Sequence, residues 1–256
     1  MSTKHLHAIR DAELKAAMGR LPPPGQQVRI LDLGAGTGHQ SALLASMGYS
    51  VTAMDLSSSA YVEQRVYPVL DYDGQAIPLQ DRTVDVVFTS NVLEHVKSLD
   101  GLLSEIARVL APDGLAIHIL PTTAWRCWTT LTYYPWLIKR VAIRAASSVG
   151  EGRNLVVRAK KRPIFSMLWP ERHGERGNFL SEAWYFSESW WRNTFTRAGF
   201  DVVACAPTRL AYTGGMLFAD YISIAARRRW ASFVGSSCRI YVVRQRPSST
   251  YMNQRK

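Results

Sequence analysis

Apolar and polar positions fall into regular blocks along the first half of the chain. Residues 4–19 repeat apolar side chains at helical spacing. Gly19 and the Pro22-Pro23-Pro24 run close that helix, because proline has no amide hydrogen with which to continue it. Val28 to Leu33 is an apolar run that opens directly into glycines, as a buried strand does. Residues 39–47 suit a helix stopped by Gly48, Ser50 to Met54 a second strand ending at Asp55, and Val84 to Thr89 another buried strand. Leu99, Leu102, Leu103, Ile106, Val109 and Leu110 recur at helical spacing, and Pro112-Asp113-Gly114 then turns the chain into a strand over Leu115 to Leu120. Strands alternating with helices at this rhythm predict a doubly wound, mostly parallel sheet.

The rhythm stops at Pro121. Residues 122–183 hold WRCWTTLTYYPW, a basic stretch ending in Lys160-Lys161-Arg162, and PERHGERGN, with no clear strand–helix alternation. It resumes with a helix over 187–198 closed by Gly199, a strand over Phe200 to Ala206, and a last strand near Arg239 to Val243. The expected organisation is a core begun by residues 1–121, an insert over 122–183, and completion of the core over 184–246. That last part carries a basic helical insertion at about 213–235, and residues 247–256 are expected to be a disordered tail.

Composition changes this picture in one respect. The 256 residues are 47% hydrophobic and 20% charged, enough for a large core. The net charge of +11 is uneven: residues 28–121 hold 5 basic and 11 acidic side chains, whereas 137–163 and 220–256 each hold 8 basic and 1 acidic. All eight tryptophans lie between Trp125 and Trp230. The longest apolar candidate, Leu131 to Ile143, is cut by Pro135, Lys139 and Arg140, which argues against a spanning helix. No apolar stretch follows the first residues, so no secretory signal is expected. Three scattered cysteines without a CxxC pair argue against a disulfide framework or zinc cluster and fit a reducing cytoplasm.

The sharpest chemical signal is ILDLGAGTG at residues 30–38. A strand delivers Asp32, and Gly34, Ala35, Gly36 and Gly38 let the backbone turn and approach a ligand closely. A dinucleotide fingerprint needs its third glycine at position 39, which is His39. An acid-led G-x-G-x-G suits S-adenosylmethionine, a ligand with an ammonium group and no phosphate. Asp55, 17 residues past Gly38, stands where a carboxylate can accept both ribose hydroxyls. With residues 73–96 and EIARVLAPDG at 105–114, the order resembles the class I S-adenosylmethionine-dependent methyltransferases, particularly the small-molecule, methyltransferase type 11-like branch. The resemblance covers residues 28–121 and resumes weakly over 183–203. It implies a Rossmann-like α/β fold with a seven-stranded sheet whose last strand is antiparallel. It further implies that Asp32 and Gly34 bind the methionine end, Asp55 and Leu56 the ribose side, and Asp73 with Gly74 the adenine. Asp71 is the alternative adenine partner, and Asn91 would lie beside the cofactor.

Methylation of a hydroxyl calls for a general base near neutral pH, which points to histidine. His95, after Glu94, and His173, in PERHGERGN, are the two catalytic candidates; each has the alternative reading of a structural hydrogen-bonding residue. His118, inside an apolar strand, reads as core. Asn91-x-x-Glu94-His95 lacks one carboxylate of the Glu-x-x-Glu/Asp-His metal site that ubiquinone-type O-methyltransferases carry, so no metal is expected. The stretch Ser90-Asn91-Val92-Leu93 lacks the Asn/Asp-Pro-Pro-aromatic motif of amine-directed nucleic-acid methyltransferases.

The aromatic and basic side chains of 125–144 and 216–233 fit a lid over the acceptor. They also fit a peripheral contact with an anionic membrane at its inner face. The expected function is methyl transfer to a small-molecule, glycan or lipid-linked acceptor, at a hydroxyl oxygen. An RNA-directed enzyme is the alternative, since a stacking platform uses the same residue types. Nucleic acid is the less favoured partner.

Overall fold

The computed structural model describes residues 3–24, 27–150, 169–214 and 222–247. The Lys160-Lys161-Arg162 stretch, the start of the 216–233 segment and almost all of the expected tail lie outside these residues. The chain enters through helix α1 (Thr3–Ala17), then runs β1 (Arg29–Leu33), α2 (His39–Ser46), β2 (Ser50–Leu56), β3 (Val69–Tyr72) and β4 (Val84–Ser90). It continues through α3 (Leu99–Val109), β5 (Leu110–Pro121), α4 (Thr123–Gly150), α5 (Glu182–Tyr185), α6 (Glu188–Arg197), β6 (Phe200–Pro207), α7 (Ile224–Val234) and β7 (Cys238–Gln245). The strands form one seven-stranded sheet in the order β3-β2-β1-β4-β5-β7-β6. β7 runs antiparallel to both β5 and β6, and the pairs among β1 to β5 are parallel. This is the doubly wound Rossmann-like sheet the sequence predicts.

Side-chain alternation builds a core on each face, as the two-residue period of a strand requires. Leu31 and Leu33 of β1, Ala116 and Leu120 of β5, and Tyr241 and Val243 of β7 face α3 and α6. The intervening Ile30, Ile117, Ile119, Ile240 and Val242 face α1 and α2, with Leu14, Ala17 and Leu44. Helix α3 buries Leu99, Leu102, Leu103, Ile106 and Val109, the stripe legible in the sequence. Ser187 caps α6 by accepting a hydrogen bond from the Trp190 amide.

Two elements differ from the sequence reading. Pro112-Asp113-Gly114 does not start a new strand; it bulges within β5, whose partner register jumps between Val84 and Val86 of β4. The beginning of the insert is one long helix, α4, although it contains Pro135. Its first turns are anchored by the core: Thr122 donates its hydroxyl to the Ser236 carbonyl at 2.6 Å, and Trp125 is buried. The Trp128 indole donates to the Val234 carbonyl at 2.9 Å, joining α4 to the end of α7.

Candidate functional site: a glycine turn facing two histidines

The site grows from the carboxyl end of β1. Gly34, Gly36 and Gly38 have φ of 79°, 58° and 73°, left-handed values that favour glycine. The amides of Gly34 and Ala35 both donate to the Met54 carbonyl, at 2.8 and 2.9 Å, which pins the turn to β2. The glycines serve different ends. A Cβ on Gly34 would run into the Val92 side chain, and one on Gly38 would sit 2.7 Å from Cβ of Tyr67, so those two permit packing. At Gly36 the nearest atom would be a ring carbon of Tyr61 at 3.5 Å, an ordinary contact. Gly36 therefore leaves room on the open side of the turn, where a ligand can approach the backbone.

A cavity of about 270 Å³ lies over this turn. Gly34, Ala35 and Gly36 of the turn line it together with Arg10, Gln40, Asn91, His95 and His173. Asn91, at the end of β4, has φ of 57°, a strained value for a residue with a side chain. Its amide donates to the Ile119 carbonyl at 2.8 Å, and its Oδ1 accepts from the Cys238 thiol at 3.4 Å. Strain of this kind concentrates at ligand sites.

The two histidines, 78 positions apart in sequence, are neighbours: their ring centroids are 4.6 Å apart. The 173–176 segment is fastened to the residues around Glu94. The amides of His173 and Gly174 donate to Glu182 Oε1 at 2.7 and 2.6 Å, the Glu175 amide donates to the Glu94 carbonyl at 2.9 Å, and Arg176 donates to the Val96 carbonyl at 2.6 Å. Glu182 is itself buried, with its other oxygen 3.2 Å from the buried Arg126 guanidinium. Desolvation lowers the pKa of His95, with Glu175 opposing that effect and Arg10 adding to it. His173 is pushed down harder, by desolvation first and then by His95, Arg126 and Arg10. Both rings are therefore neutral near pH 7 and can accept a proton. The Glu94 carboxyl is fully buried, neither oxygen has a hydrogen-bond partner among the described residues, and desolvation pushes its pKa up to about 8. One ligand atom from each of Glu94, His95 and His173 falls within 4.8 Å of the others, so these three could hold a cation once Glu94 gave up its proton.

Asp32 does not line the cavity. It is 2% exposed beneath the glycine turn and accepts the Ser41 hydroxyl at 2.5 Å. Desolvation raises its pKa to about 7, against the lowering effect of the Ser41 bond, with the charge of Asp55 adding to the rise. Asp55 is half-buried at the end of β2, and Leu56 beside it is exposed. Asp73 accepts the Gln75 and Ala76 amides at 2.8 and 3.1 Å, which shapes its turn and lowers its pKa. Gly74, at φ 80°, lies against Leu56: a Cβ there would be 2.8 Å from the leucine side chain. Asp71, the alternative adenine partner, is held by Arg65 at 2.7 Å. His118 is a core residue, fully buried, with Nδ1 2.8 Å from the Thr89 hydroxyl.

Sequence reasoning missed the contribution of α1. His7 and Arg10 line the cavity, His7 stacks on His39 at 4.0 Å, and Asp11 meets His39 Nε2 at 2.6 Å. His7, Arg10 and Asp11 share one side of the helix at a three- to four-residue spacing, a polar stripe opposite the buried Ile9 and the one available signal.

A sheet of this order, carrying a glycine turn at β1 and an acid at the end of β2, defines the class I methyltransferase fold. Residues 31–118 match the family model described as a methyltransferase domain. Over that stretch, about a third of the chain, it is similar to the S-adenosylmethionine-dependent methyltransferases, and S-adenosylmethionine is the cofactor. A malonyl-[acyl-carrier protein] O-methyltransferase of Pectobacterium atrosepticum is 33% identical over 114 residues, which are 41% of this chain and 45% of that protein. A ubiquinone biosynthesis O-methyltransferase of Xanthomonas axonopodis is 32% identical over 120 residues, 43% of this chain and 49% of that protein. The chain thus spans about half the length of these relatives. In fold it is similar to an S-adenosylmethionine-dependent methyltransferase of Mesorhizobium loti, with a TM-score of 0.55 and 18% identity over 91% of this chain and 98% of that one. It is also similar to the 1,6-didemethyltoxoflavin-N1-methyltransferase of Burkholderia thailandensis, solved with S-adenosylhomocysteine. That match has a TM-score of 0.51 and 16% identity over 94% of this chain and 79% of that one.

Proposed function

We propose that the protein transfers a methyl group from S-adenosylmethionine to an oxygen of a small or lipid-linked acceptor, with His95 taking the acceptor's proton. One observation carries this reading: the glycine turn and the paired histidines line a single cavity. The open side of Gly36 and the donors Arg10 and Gln40 would hold the methionine end. Asp55 and Leu56 would hold the ribose side, and Asp73 with Gly74 the adenine. The cofactor brings an electrophilic methyl group bonded to sulfur. What this chain contributes is orientation and a base. His95 is the better base of the two, because its pKa is lowered less than that of His173 and a base works best near the ambient pH. His173 forms the adjoining wall and orients the acceptor. The two O-methyltransferase relatives support attack by oxygen.

Two variants, His95→Gln and His173→Gln, test these roles. Each is expected to keep cofactor affinity. The His95 variant should lose turnover by a factor of about 10²–10⁴. The parent's rate should fall on the acid side, below the ordinary histidine value near 6.5, as His95 takes a proton. Undiminished turnover in His95→Gln removes it as the base.

A second feature supports a peripheral contact with an anionic bilayer. Trp128, Leu131, Tyr134 and Ile138 expose an apolar stripe along α4, and Trp230 and Phe233 of the adjoining α7 are exposed beside Arg228 and Arg229. Among the described residues no helix is long and apolar enough to cross a membrane. Sedimentation with phosphatidylglycerol vesicles at low salt tests this reading, and capture no greater than by neutral vesicles refutes it.

A further inference from the structure

A second cavity, of about 250 Å³, lies between α4 and α7 and belongs to none of the machinery assigned above. Its walls include Trp125, Trp128, Trp230, Val234 and Ala211, and although Tyr212 and Arg227 also border it, few polar atoms are exposed to the interior. A dry apolar cavity of about 150 Å³ takes one benzene molecule, so this one has room for a ring with several more carbons or a short alkyl chain.

The cavity has walls joined to those of the cofactor cleft by chains of two and three contacting side chains. Trp125 lines it, and the Trp125 ring is 4.6 Å from the ring of His173 on the wall of the cleft. Tyr212 also lines it and donates its hydroxyl to Glu13 at 2.6 Å; Glu13 holds Arg10 at 2.6 Å, and Arg10 lines the cleft. An apolar chamber that abuts a histidine of the cofactor cleft is suited to the unreactive end of an acceptor. The exposed Trp128 and Trp230 belong to its walls, so the chamber adjoins the surface stripe described above.

We propose that this chamber binds the apolar portion, an aromatic ring or short alkyl chain, of the methyl acceptor, and that Trp125 and His173 mark the passage from it to the reacting oxygen. The inference rests on the methyltransferase reading and names the substrate class of that site: amphiphiles with a compact apolar end. A wholly polar acceptor such as a free sugar would leave the chamber without a function.

The probe is 8-bromooctanol, whose bromine quenches tryptophan fluorescence on contact. The parent should show saturable quenching, and occupancy should shift the ring proton signals of His173, assigned by their loss in His173→Gln. Ala211→Phe, which fills the chamber, should weaken binding at least tenfold. Trp230→Ala changes a half-exposed residue and so leaves folding intact; it should weaken binding several-fold. S-adenosylhomocysteine affinity, measured on the same samples, should be equal in all three proteins. Linear, unsaturable quenching, or equal affinity for the probe in parent and both variants, overturns the chamber assignment even where S-adenosylhomocysteine binds. Loss of S-adenosylhomocysteine binding by the parent instead overturns the methyltransferase reading on which the assignment rests.

Discussion

Asp32 is expected to couple cofactor binding to pH. Its carboxyl is buried under the glycine turn with one hydroxyl partner, and its pKa is raised to about 7. Below pH 7 it is therefore mostly neutral in the free protein. A ligand ammonium over the turn interacts favourably with the ionised form only, so binding must first remove the proton. The linkage costs about 1.4 kcal/mol for each pH unit below 7, which makes affinity about 30-fold weaker at pH 5.5 than at pH 8. Calorimetry of S-adenosylhomocysteine across this range measures the slope, and repeating it near pH 6 in two buffers of different ionisation heat counts the proton released. Asp32→Asn, which keeps the shape and removes the charge, should bind more weakly at pH 8 and lose the slope. His7 and His95 also lie at this cavity with pKa values lowered by desolvation, and the asparagine variant separates their effect from that of Asp32. A parent affinity that stays flat from pH 5.5 to 8, or a slope that survives in Asp32→Asn, refutes the coupling.

Further consequences follow from the buried acids. Because the folded pKa of Glu94 lies above its unfolded value of 4.5, its stabilising contribution is complete below pH 4.5 and is lost as pH rises towards 8. Glu94→Gln should therefore melt at a higher temperature than the parent at alkaline pH, with the gap growing by up to about 1.4 kcal/mol per unit from about pH 5 upward; a gap independent of pH contradicts the burial argument. Glu182→Ala strands the Arg126 guanidinium and frees the His173 and Gly174 amides, so denaturant unfolding should record a loss of about 3–5 kcal/mol. A loss below about 1 kcal/mol would mean that Glu182 does not hold the histidine segment.

The sheet was largely legible because its central strands are buried on both faces and read as apolar runs closed by Gly, Asp or Asn. β3 was not located, since Val69–Tyr72 is a four-residue edge strand with two exposed positions and no apolar pattern. α4 was hidden by Pro135 and by a run of aromatics whose burial is set by contacts with α7 and the 236–237 backbone rather than by its own periodicity. The glycine turn and Asp55 stood out because their spacing is local. The approach of His173 to His95 is carried by Glu182, Arg126 and the Glu94 carbonyl, which are scattered along the chain and leave no local trace. The burial of Asp32 was not legible for a related reason: the Ser41 hydroxyl that it accepts comes from α2, and the motif carries no sign of that contact.

The central claim is that a cofactor lies against the backbone at Gly36. A Cβ there makes only an ordinary contact with the Tyr61 ring, and the left-handed φ of 58° adds about 1–2 kcal/mol of strain for a residue with a side chain. Titration of S-adenosylhomocysteine into the parent and into Gly36→Val by calorimetry tests the claim most directly. The parent is expected to bind one-to-one at micromolar affinity, and the variant, still melting cooperatively, to give no measurable heat. Equal affinity in the two proteins contradicts it.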